Sequence, residues 1–296
     1  MMTKVQCPAK VNLFLEVTGK RPDGYHRLAT LFAKINVYDV LELENQPRGV
    51  SLEIDSETPL SAGPDNLVCR AAAAFIKAFR VDGGARIRLT KRIPMGAGLG
   101  GGSSDAAGTL LGLAKIFEIR LDAEKKAVLR RLAAGLGADV PFFLHPAPFC
   151  LGTGIGDRLK PVRIEKSLPY MVLVYPGLHV STVAAYKALP KPPPPRSVVL
   201  TRLSQLDRLI RSLKRGRPVE EWEGLMFNRL ESAELPVLAQ VAAARKVLTQ
   251  LGVRGARMSG SGSSVFGFVG SHAEGEAALR RLRGYPWKGF LTSCHG

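Results

Sequence analysis

Glycine makes up five of the twelve residues from Pro94 to Asp105, and an apolar run, Ala106 to Phe117, follows directly. Because glycine lacks a Cβ, such a run leaves backbone N–H groups accessible to a ligand. Ser103, Ser104 and Asp105 favour the start of a helix, and the apolar residues after them recur at helical spacing. We therefore predict a glycine loop leading into a buried helix, whose N-terminus and dipole would bind phosphate.

The glycine loop differs from two common nucleotide-binding loops. A Walker P-loop ends in Gly-Lys-Ser/Thr, whereas Gly102 is followed by Ser103. A G-x-G-x-x-G pattern does start at Gly96. However, apolar and polar residues alternate in the preceding strand, 85–90, which indicates an antiparallel, half-solvated strand rather than a Rossmann unit. The alternative is a flexible surface loop, which the serines before an apolar helix argue against.

The composition describes a folded, strongly basic protein of 296 residues, with 46% hydrophobic residues and a net charge of +17. This length allows one large domain or two ordinary ones. Such a positive field attracts anions: nucleic acid, an anionic membrane or a highly phosphorylated small substrate. The basic residues form only short clusters, at 86–92, 202–217 and 280–283, which we interpret as solvated surface. Nucleic-acid binding is thus permitted but not indicated.

The four cysteines, Cys7, Cys69, Cys150 and Cys294, are far apart and form no C-x-x-C motif. This pattern argues against a disulfide framework or a zinc site and favours buried or idle thiols in a reducing cytosol. The N-terminus has no apolar signal core, and the apolar runs are too short to span a bilayer. We therefore predict a soluble, cytoplasmic protein.

Local patterns predict strands that alternate with helices, followed by a mixed second half. The predicted strands lie at 11–17, 31–43, 50–54, 85–90, 170–175 and 265–269. The predicted helices lie at 66–79, after the glycine loop, at 123–136 with Asp122 as its cap, at 180–186, up to about residue 250, and at 276–283. This order indicates the α+β class with largely antiparallel sheets and a domain boundary near residue 160.

Three segments together resemble one family: Pro8 to Leu13, Pro94 to Ser104, and Met258 to Ser264. The GHMP small-molecule kinases, which include galactokinase, homoserine kinase and mevalonate kinase, have this layout. Two further segments, Gly19 to His26 and Gly137 to Pro141, resemble the branch that acts on a cytidine-diphospho polyol.

The resemblance implies the two-domain GHMP kinase fold. The N-terminal domain, residues 1–160, would be ribosomal-protein-like with a left-handed crossover and would bind ATP and substrate. The C-terminal domain, residues 161–296, would be ferredoxin-like, and the active site would lie between the two.

The implied reaction transfers the γ-phosphoryl group of ATP to the 2-hydroxyl of cytidine-diphospho methylerythritol, in the non-mevalonate route to isoprenoid precursors. ATP and Mg²⁺ are the expected cofactors, with no metal ligands assigned. The expected partners are small molecules, without nucleic acid or membrane, and the expected state is a monomer or weak homodimer.

The resemblance suggests Asp139 as the base for the substrate hydroxyl and Lys10 as its partner. An ammonium beside a carboxylate keeps it ionised and can steady a developing alkoxide. From the residues alone, the alternatives are a helix cap for Asp139 and a solvated surface charge for Lys10.

ATP contacts are implied for the glycine loop and for Asn66. The loop residues are Pro94, Met95, Gly96, Ala97, Gly98, Leu99, Gly100, Gly101, Gly102, Ser103 and Ser104. The loop carries no lysine, so a cation must come from elsewhere, as lysine or Mg²⁺. Asn66 could instead be a helix cap.

The substrate-side residues implied by the resemblance are Asn12, Tyr25, His26, Thr182 and Tyr186. Tyr25 and Tyr186 would sandwich the cytosine, with stacking of about 1–3 kcal/mol per base, and His26 would supply hydrogen bonds. From the residues alone, Tyr25 and His26 are ordinary turn residues. The stretch 259–264 either lines the site or forms a tight turn.

Two alternatives remain at this stage. The chain could be another GHMP kinase, of the homoserine or mevalonate type, with the same fold and ATP site. It could also be a basic RNA-binding protein, because the charge of +17 allows it and the ribosomal-protein-like fold does not exclude it.

Overall fold

The computed structural model describes residues 2–294. Backbone contacts divide the chain into two compact units, which are described separately. Within the described residues, unit 1 comprises residues 2–9, 37–94 and 100–146, and unit 2 comprises residues 10–36, 95–99 and 147–294. Each unit is made of several separate chain segments. The predicted domains, 1–160 and 161–296, divide the chain at one point instead, and this division stays a prediction.

Groups of strands and groups of helices follow one another along the chain. The strands are β1 Met2–Lys20, β2 His26–Gln46, β3 Val50–Asp55, β4 Gly84–Thr90, β5 Phe149–Thr153, β6 Arg158–Pro161, β7 Tyr170–Tyr175, β8 Phe227–Asn228, β9 Arg254–Met258, β10 Val265–Val269 and β11 Lys288–Thr292. The α-helices are α1 Leu67–Phe79, α2 Gly101–Ile116, α3 Ala123–Leu136, α4 Val140–Leu144, α5 Thr182–Lys187, α6 Arg196–Lys214, α7 Leu238–Gln250 and α8 His272–Leu282. Short 3₁₀ helices lie at Val219–Glu221, Glu223–Leu225 and Arg229–Ser232.

In unit 1 the strands lie in the order β3-β4-β2-β1. β4 pairs antiparallel with β2, from Val40 opposite Thr90 to Gln46 opposite Gly84, and parallel with β3. Ile87 and Leu89 are buried while Arg86 and Arg88 are exposed, so the predicted half-solvated strand is confirmed. Its pairing with β2 is antiparallel, as predicted.

Two predicted helix caps in unit 1 are confirmed. The Asn66 side chain accepts the N–H of Val68 at the start of α1, and the Asp122 side chain accepts the N–H of Lys125 at the start of α3. Each cap satisfies one of the backbone donors that a helix leaves unpaired at its N-terminus.

The predicted serine caps of the helix after the glycine loop are wrong. α2 begins at Gly101, and its N-cap is Gly100, which has φ +71° and no side-chain cap. Ser103, Ser104 and Asp105 lie inside the first turns. Glycine adopts this left-handed conformation at little cost, so the loop turns into the helix through its backbone. Twelve of the sixteen residues of α2 are buried, as the apolar run predicts.

Unit 2 contains two groups of strands. One has the order β6-β5-β2-β1-β8, in which β5 is antiparallel to β2 and β8 is parallel to β1. The other is an antiparallel four-stranded sheet of order β11-β7-β10-β9. With α7 before β9 and α8 between β10 and β11, this sheet has the predicted ferredoxin-like β-α-β-β-α-β plan.

Sequence patterns missed five strands of unit 2: β5, β6, β8, β9 and β11. β9 carries two arginines and a glycine, and β11 begins with Lys-Gly, so neither shows an alternating apolar run. Both acquire their structure by pairing with neighbouring strands of the ferredoxin-like sheet.

One prediction about a charged residue needs correction. The Lys91 side chain, in a cluster interpreted as solvated, is only 6% exposed. Lys10 is 4% exposed, so the alternative of a solvated surface charge fails for this residue. Of the four free cysteines, Cys7, Cys150 and Cys294 are buried. No helix among residues 2–294 has the length and apolar character needed to cross a bilayer.

Candidate active site

The first half of the glycine loop, residues 95–99, is held by its carbonyl groups. Each of its five consecutive carbonyl oxygens accepts a hydrogen bond within unit 2. The donors are the Tyr175 hydroxyl to Met95 at 3.4 Å, the Val180 N–H to Gly96 at 3.0 Å, the Ser264 N–H to Ala97 at 3.2 Å, the Ser259 hydroxyl to Gly98 at 2.9 Å and the Lys10 N–H to Leu99 at 2.9 Å. The peptide units of this segment are therefore fixed in orientation.

The N–H groups of the loop differ from its carbonyl groups in their hydrogen bonding. Among the residues that the structure describes, none of the N–H groups from Gly96 to Ser103 donates a hydrogen bond. Unused donors on a fixed backbone that leads to a helix N-terminus form a cradle for phosphate oxygens. The loop therefore fits the phosphate groups of ATP.

Gly98 shows why the loop needs glycine. Its φ is +75°, and a Cβ at this position would overlap the carbonyl oxygen of Ser259. Both the left-handed backbone and the close approach of another chain segment exclude a side chain here. The loop can form only where the stretch 258–264 packs directly on it.

A chain of polar side chains holds Lys10 in unit 2. The Lys10 Nζ donates to Asn12 Oδ1 at 2.7 Å, Asn12 Nδ2 donates to Thr30 Oγ1 at 2.7 Å, and Thr30 Oγ1 donates to the Phe14 carbonyl at 2.7 Å. All of these side chains are buried. The chain fixes a positive charge and the amide of Asn12, so two predicted site residues lie together. Thr30 was missed, because it precedes the predicted strand at 31–43 and belongs to none of the motifs.

The stretch 258–264 is both a tight turn and part of this site. The Ser259 N–H donates to the Ser264 carbonyl at 2.9 Å, which closes the turn. A Cβ on Gly260, whose φ is +55°, would lie 3.0 Å from Lys10 Nζ. Asn228 holds the turn from behind, because its Nδ2 donates to the carbonyls of Met258 and Gly260. No sequence pattern pointed to Asn228.

The substrate-side aromatic residues are arranged differently from the predicted sandwich. The rings of His26 and Tyr186 stack on each other, with centroids 5.1 Å apart and planes 18° apart. The Tyr25 side chain is largely in solvent, at 61% exposure. Burial, and then the charge of Lys20, lower the pKa of His26. Nearby on α5, Thr182 Oγ1 lies 3.1 Å from Ser261 Oγ.

Two predicted site residues lie in unit 1 at helix N-termini. Asp139 is the N-cap residue of α4, but its side chain makes no capping hydrogen bond. The cap alternative for its carboxylate therefore fails. The Asn66 amide caps α1 and also donates to the Ser61 carbonyl at 2.7 Å, so both ends of this amide are engaged.

The described part of the chain holds no metal site built wholly from protein ligands. Within residues 2–294, no group of three or more histidine, cysteine, aspartate or glutamate side chains could hold a metal ion. Mg²⁺ bound to a nucleotide takes most of its ligands from phosphates and water, with one or two carboxylates, so it does not require such a group.

Comparison with known sequences identifies two family domains. The GHMP kinases N terminal domain matches residues 66–146, and the GHMP kinases C terminal domain matches residues 208–286. Together the two matches cover more than half of the chain.

Curated relatives match over nearly the full length. The 4-diphosphocytidyl-2-C-methyl-D-erythritol kinase of Citrifermentans bemidjiense is 39% identical over 290 residues, which are 95% of this chain and 96% of the relative. The enzyme of the same name from Thermus thermophilus is 40% identical over 286 residues, 96% of this chain and 94% of the relative.

Solved structures agree with these matches. A crystal structure of 4-(cytidine 5'-diphospho)-2C-methyl-D-erythritol kinase superposes with a TM-score of 0.78 at 36% identity, covering 99% of this chain and 100% of that one. Homoserine kinase from Cytophaga hutchinsonii has a TM-score of 0.76 at 18% identity, covering 99% and 94%, and so shares the fold. The predicted GHMP kinase fold is thus confirmed, and this chain belongs to the GHMP kinases, in the family of the 4-diphosphocytidyl-2-C-methyl-D-erythritol kinases.

Proposed function

We propose that this chain transfers the γ-phosphoryl group of ATP to the 2-hydroxyl of 4-diphosphocytidyl-2-C-methyl-D-erythritol, a step toward isoprenoid precursors. The observation that carries the proposal is the glycine loop, in which five consecutive carbonyls are bound while the N–H groups from Gly96 to Ser103 are unused. Phosphoryl transfer depends mainly on positioning and charge stabilisation, which such a fixed row of donors supplies.

The identity of the acceptor rests on the relatives. Enzymes named for the cytidylyl substrate are 39% and 40% identical over almost the whole chain. The homoserine and mevalonate kinases with the same fold are 18% and 14% identical. This difference favours the cytidylyl acceptor over homoserine or mevalonate. We propose that the cytosine binds at His26 and Tyr186, with Tyr25 closing over it and Asn12 and Thr182 contacting the polyol.

We assign the base to Asp139, which would accept the proton of the substrate hydroxyl as the phosphoryl group is transferred. Its side chain makes no capping hydrogen bond to α4, so a helix cap does not account for this carboxylate. Lys10 supplies a positive charge that its hydrogen bond to Asn12 holds in place. That charge would stabilise negative charge on the reacting oxygens.

We propose that ATP is used together with Mg²⁺, which when bound neutralises part of the charge on the phosphates. Asn66 stays a predicted contact to the nucleotide base, which it would make in addition to its hydrogen bonds with Val68 and Ser61. A cytoplasmic location, a monomeric or weakly dimeric state and the lack of a nucleic-acid partner stay predictions.

The test is an ADP-release assay with Mg²⁺ and ATP, in which the acceptor is varied. We expect turnover with 4-diphosphocytidyl-2-C-methyl-D-erythritol and none with homoserine, mevalonate or galactose. Turnover with one of the other alcohols would overturn the substrate while leaving the ATP loop intact. Folded protein that neither turns over nor binds ATP, but binds RNA with a steep salt dependence, would favour the RNA-binding alternative.

A further inference from the structure

Three buried charges lie beside the glycine loop in unit 1, and the proposed mechanism uses none of them. Asp39, on β2, is fully buried, and Asp105, in the first turns of α2, is 2% exposed. The Lys91 side chain, which follows β4, is 6% exposed. Burial of charged side chains is costly unless they are paired, so a cluster of this kind needs an explanation.

The cluster binds the chain on both sides of the loop. Lys91 Nζ donates to Asp39 Oδ2 and, at 2.8 Å, to Asp105 Oδ2. Asp39 Oδ1 accepts the N–H of Arg92 at 2.6 Å and that of Ile93 at 2.9 Å. Asp39 thus fixes the backbone that enters the loop, and Lys91 connects this segment to the helix that leaves it.

The two ends of the loop also touch directly. A Cβ on Gly101 would lie 3.0 Å from the Ile93 side chain and 3.1 Å from Lys91 Nζ. Gly101 therefore lets the first residue of α2 pass against the segment that precedes the loop. The ion cluster lies at this crossing, next to the first residues of α2, whose N–H groups begin the helix.

The cluster is not electrically balanced. Asp105 Oδ1 has no hydrogen-bond partner among the described residues. Burial raises the pKa of Asp105 to about 7, against the opposing effect of Lys91 and with a further increase from Asp39. The Cys7 thiol on β1 faces the same charges, and burial followed by the two carboxylates raises its pKa. Burial therefore favours the protonated form of this carboxyl.

We propose that Asp39, Lys91 and Asp105 are positioning residues that hold both ends of the glycine loop in its ATP-binding conformation. The inference rests on the proposed use of ATP at this loop. In this proposal none of the three residues contacts the nucleotide. They act through the backbone at 91–93 and at 101–105. Their loss should therefore weaken ATP binding without changing the binding of the acceptor.

The first test is Asp105→Asn, which keeps the shape of the side chain and removes its charge. We expect KM for ATP to rise about tenfold, the factor that corresponds to one weakened hydrogen bond between charged groups. KM for the cytidylyl substrate should stay as in the wild type. The matched control is Glu42→Gln, which removes an exposed carboxylate on the same β2 strand and should change neither constant.

The second readout is the pH dependence of KM for ATP. Protonation of Asp105 weakens its contact with Lys91, so wild-type KM should rise as the pH falls from about 8 to about 6. This increase should be smaller in Asp105→Asn, which has no proton to gain. ATP itself titrates in this range, but its contribution is common to both proteins and cancels in their ratio.

Unchanged KM for ATP in folded Asp105→Asn, equal increases for both substrates, or parallel pH curves would each overturn the proposal. If Asp105→Asn does not fold, Asp39→Asn replaces it, since its amide oxygen still accepts the two N–H groups, and the same selective increase is expected. Direct ATP titration by calorimetry separates the two proposals. If the wild-type protein binds ATP but does not turn over the cytidylyl substrate, only the assignment of the acceptor is wrong. The effect of Asp105→Asn on the dissociation constant for ATP then still tests the positioning role.

Discussion

Two subsites of unit 2 are built by different means. The first half of the glycine loop, residues 95–99, presents backbone groups, and each of its carbonyls already accepts a hydrogen bond. The proposed cytosine subsite consists of side chains, and the rings of His26 and Tyr186 contact each other at a centroid distance of 5.1 Å. A base inserted between two rings needs about 7 Å, twice the carbon–carbon contact distance of about 3.5 Å. Those two rings would therefore have to separate for a base to stack between them.

This difference implies that the free-energy cost of organising each subsite arises at a different time. The phosphate cradle is organised during folding, so ATP would find its donors already oriented. The aromatic subsite would exchange one stacked contact for another when the base binds. Substitutions that add a Cβ should therefore damage the first subsite, and substitutions that remove a ring should damage the second.

The largest expected effect belongs to neither subsite. Asp139→Asn should lower kcat by about 10²–10⁴-fold, the usual contribution of a general base, and leave both KM values near those of the wild type. Steady-state kinetics measures kcat and the two KM values, and titration measures the binding of ATP. Asp122→Asn is the matched control, because it changes the N-cap of α3, where asparagine caps as well as aspartate. Near-normal turnover in Asp139→Asn would refute the assignment of the base.

Gly98→Ala tests the backbone-built subsite. A side chain at φ +75° is strained by about 1–3 kcal/mol, and its Cβ would also displace the Ser259 carbonyl. We expect KM for ATP to rise at least about tenfold, with a smaller change for the cytidylyl substrate.

The control for this loop variant is Gly135→Ala in α3, where a Cβ meets nothing within 4 Å. That change should leave the kinetics intact and should stabilise the helix by about 0.5–1 kcal/mol in thermal or chemical unfolding. Wild-type ATP binding by Gly98→Ala would contradict the view that the loop is rigid.

Tyr25→Ala tests the side-chain-built subsite. Loss of a stacked ring costs about 1–3 kcal/mol, so KM for the cytidylyl substrate should rise roughly tenfold while KM for ATP stays the same. Tyr25→Phe keeps the ring and should behave like the wild type. Equal changes in both KM values would show that Tyr25 does not distinguish the two substrates.

The smallest expected effect is a pH dependence of stability from His26. Burial and Lys20 lower its pKa in the folded protein, so the unfolded chain takes up a proton first as the pH falls below about 6.5. Wild-type stability should therefore fall between about pH 7.5 and about pH 5.5 by slightly more than that of His26→Gln. Denaturant unfolding at the two pH values measures the difference. A larger loss in His26→Gln would have the wrong sign. The glycine loop offers no such titratable group.

Local sequence patterns predict much of the fold. The caps at Asn66 and Asp122 and the alternation in β4 are as predicted, because each depends on residues close together in the chain. The glycine loop was predicted for the same reason, as five glycines within twelve residues leave few other conformational roles. The helix start at Gly101 was not predicted, because a left-handed glycine replaced the side-chain cap that the serines suggested.

The sequence by itself determined where phosphate donors could form and which helices and strands surround them, since glycine content, caps and periodicity act over a few residues. Only the tertiary structure decided how those donors are held. Ser259 reaches Gly98 across 161 residues, and Lys91 reaches Asp39 across 52. Such contacts depend on how distant segments pack, because a buried polar group must find a partner wherever the fold brings one within reach.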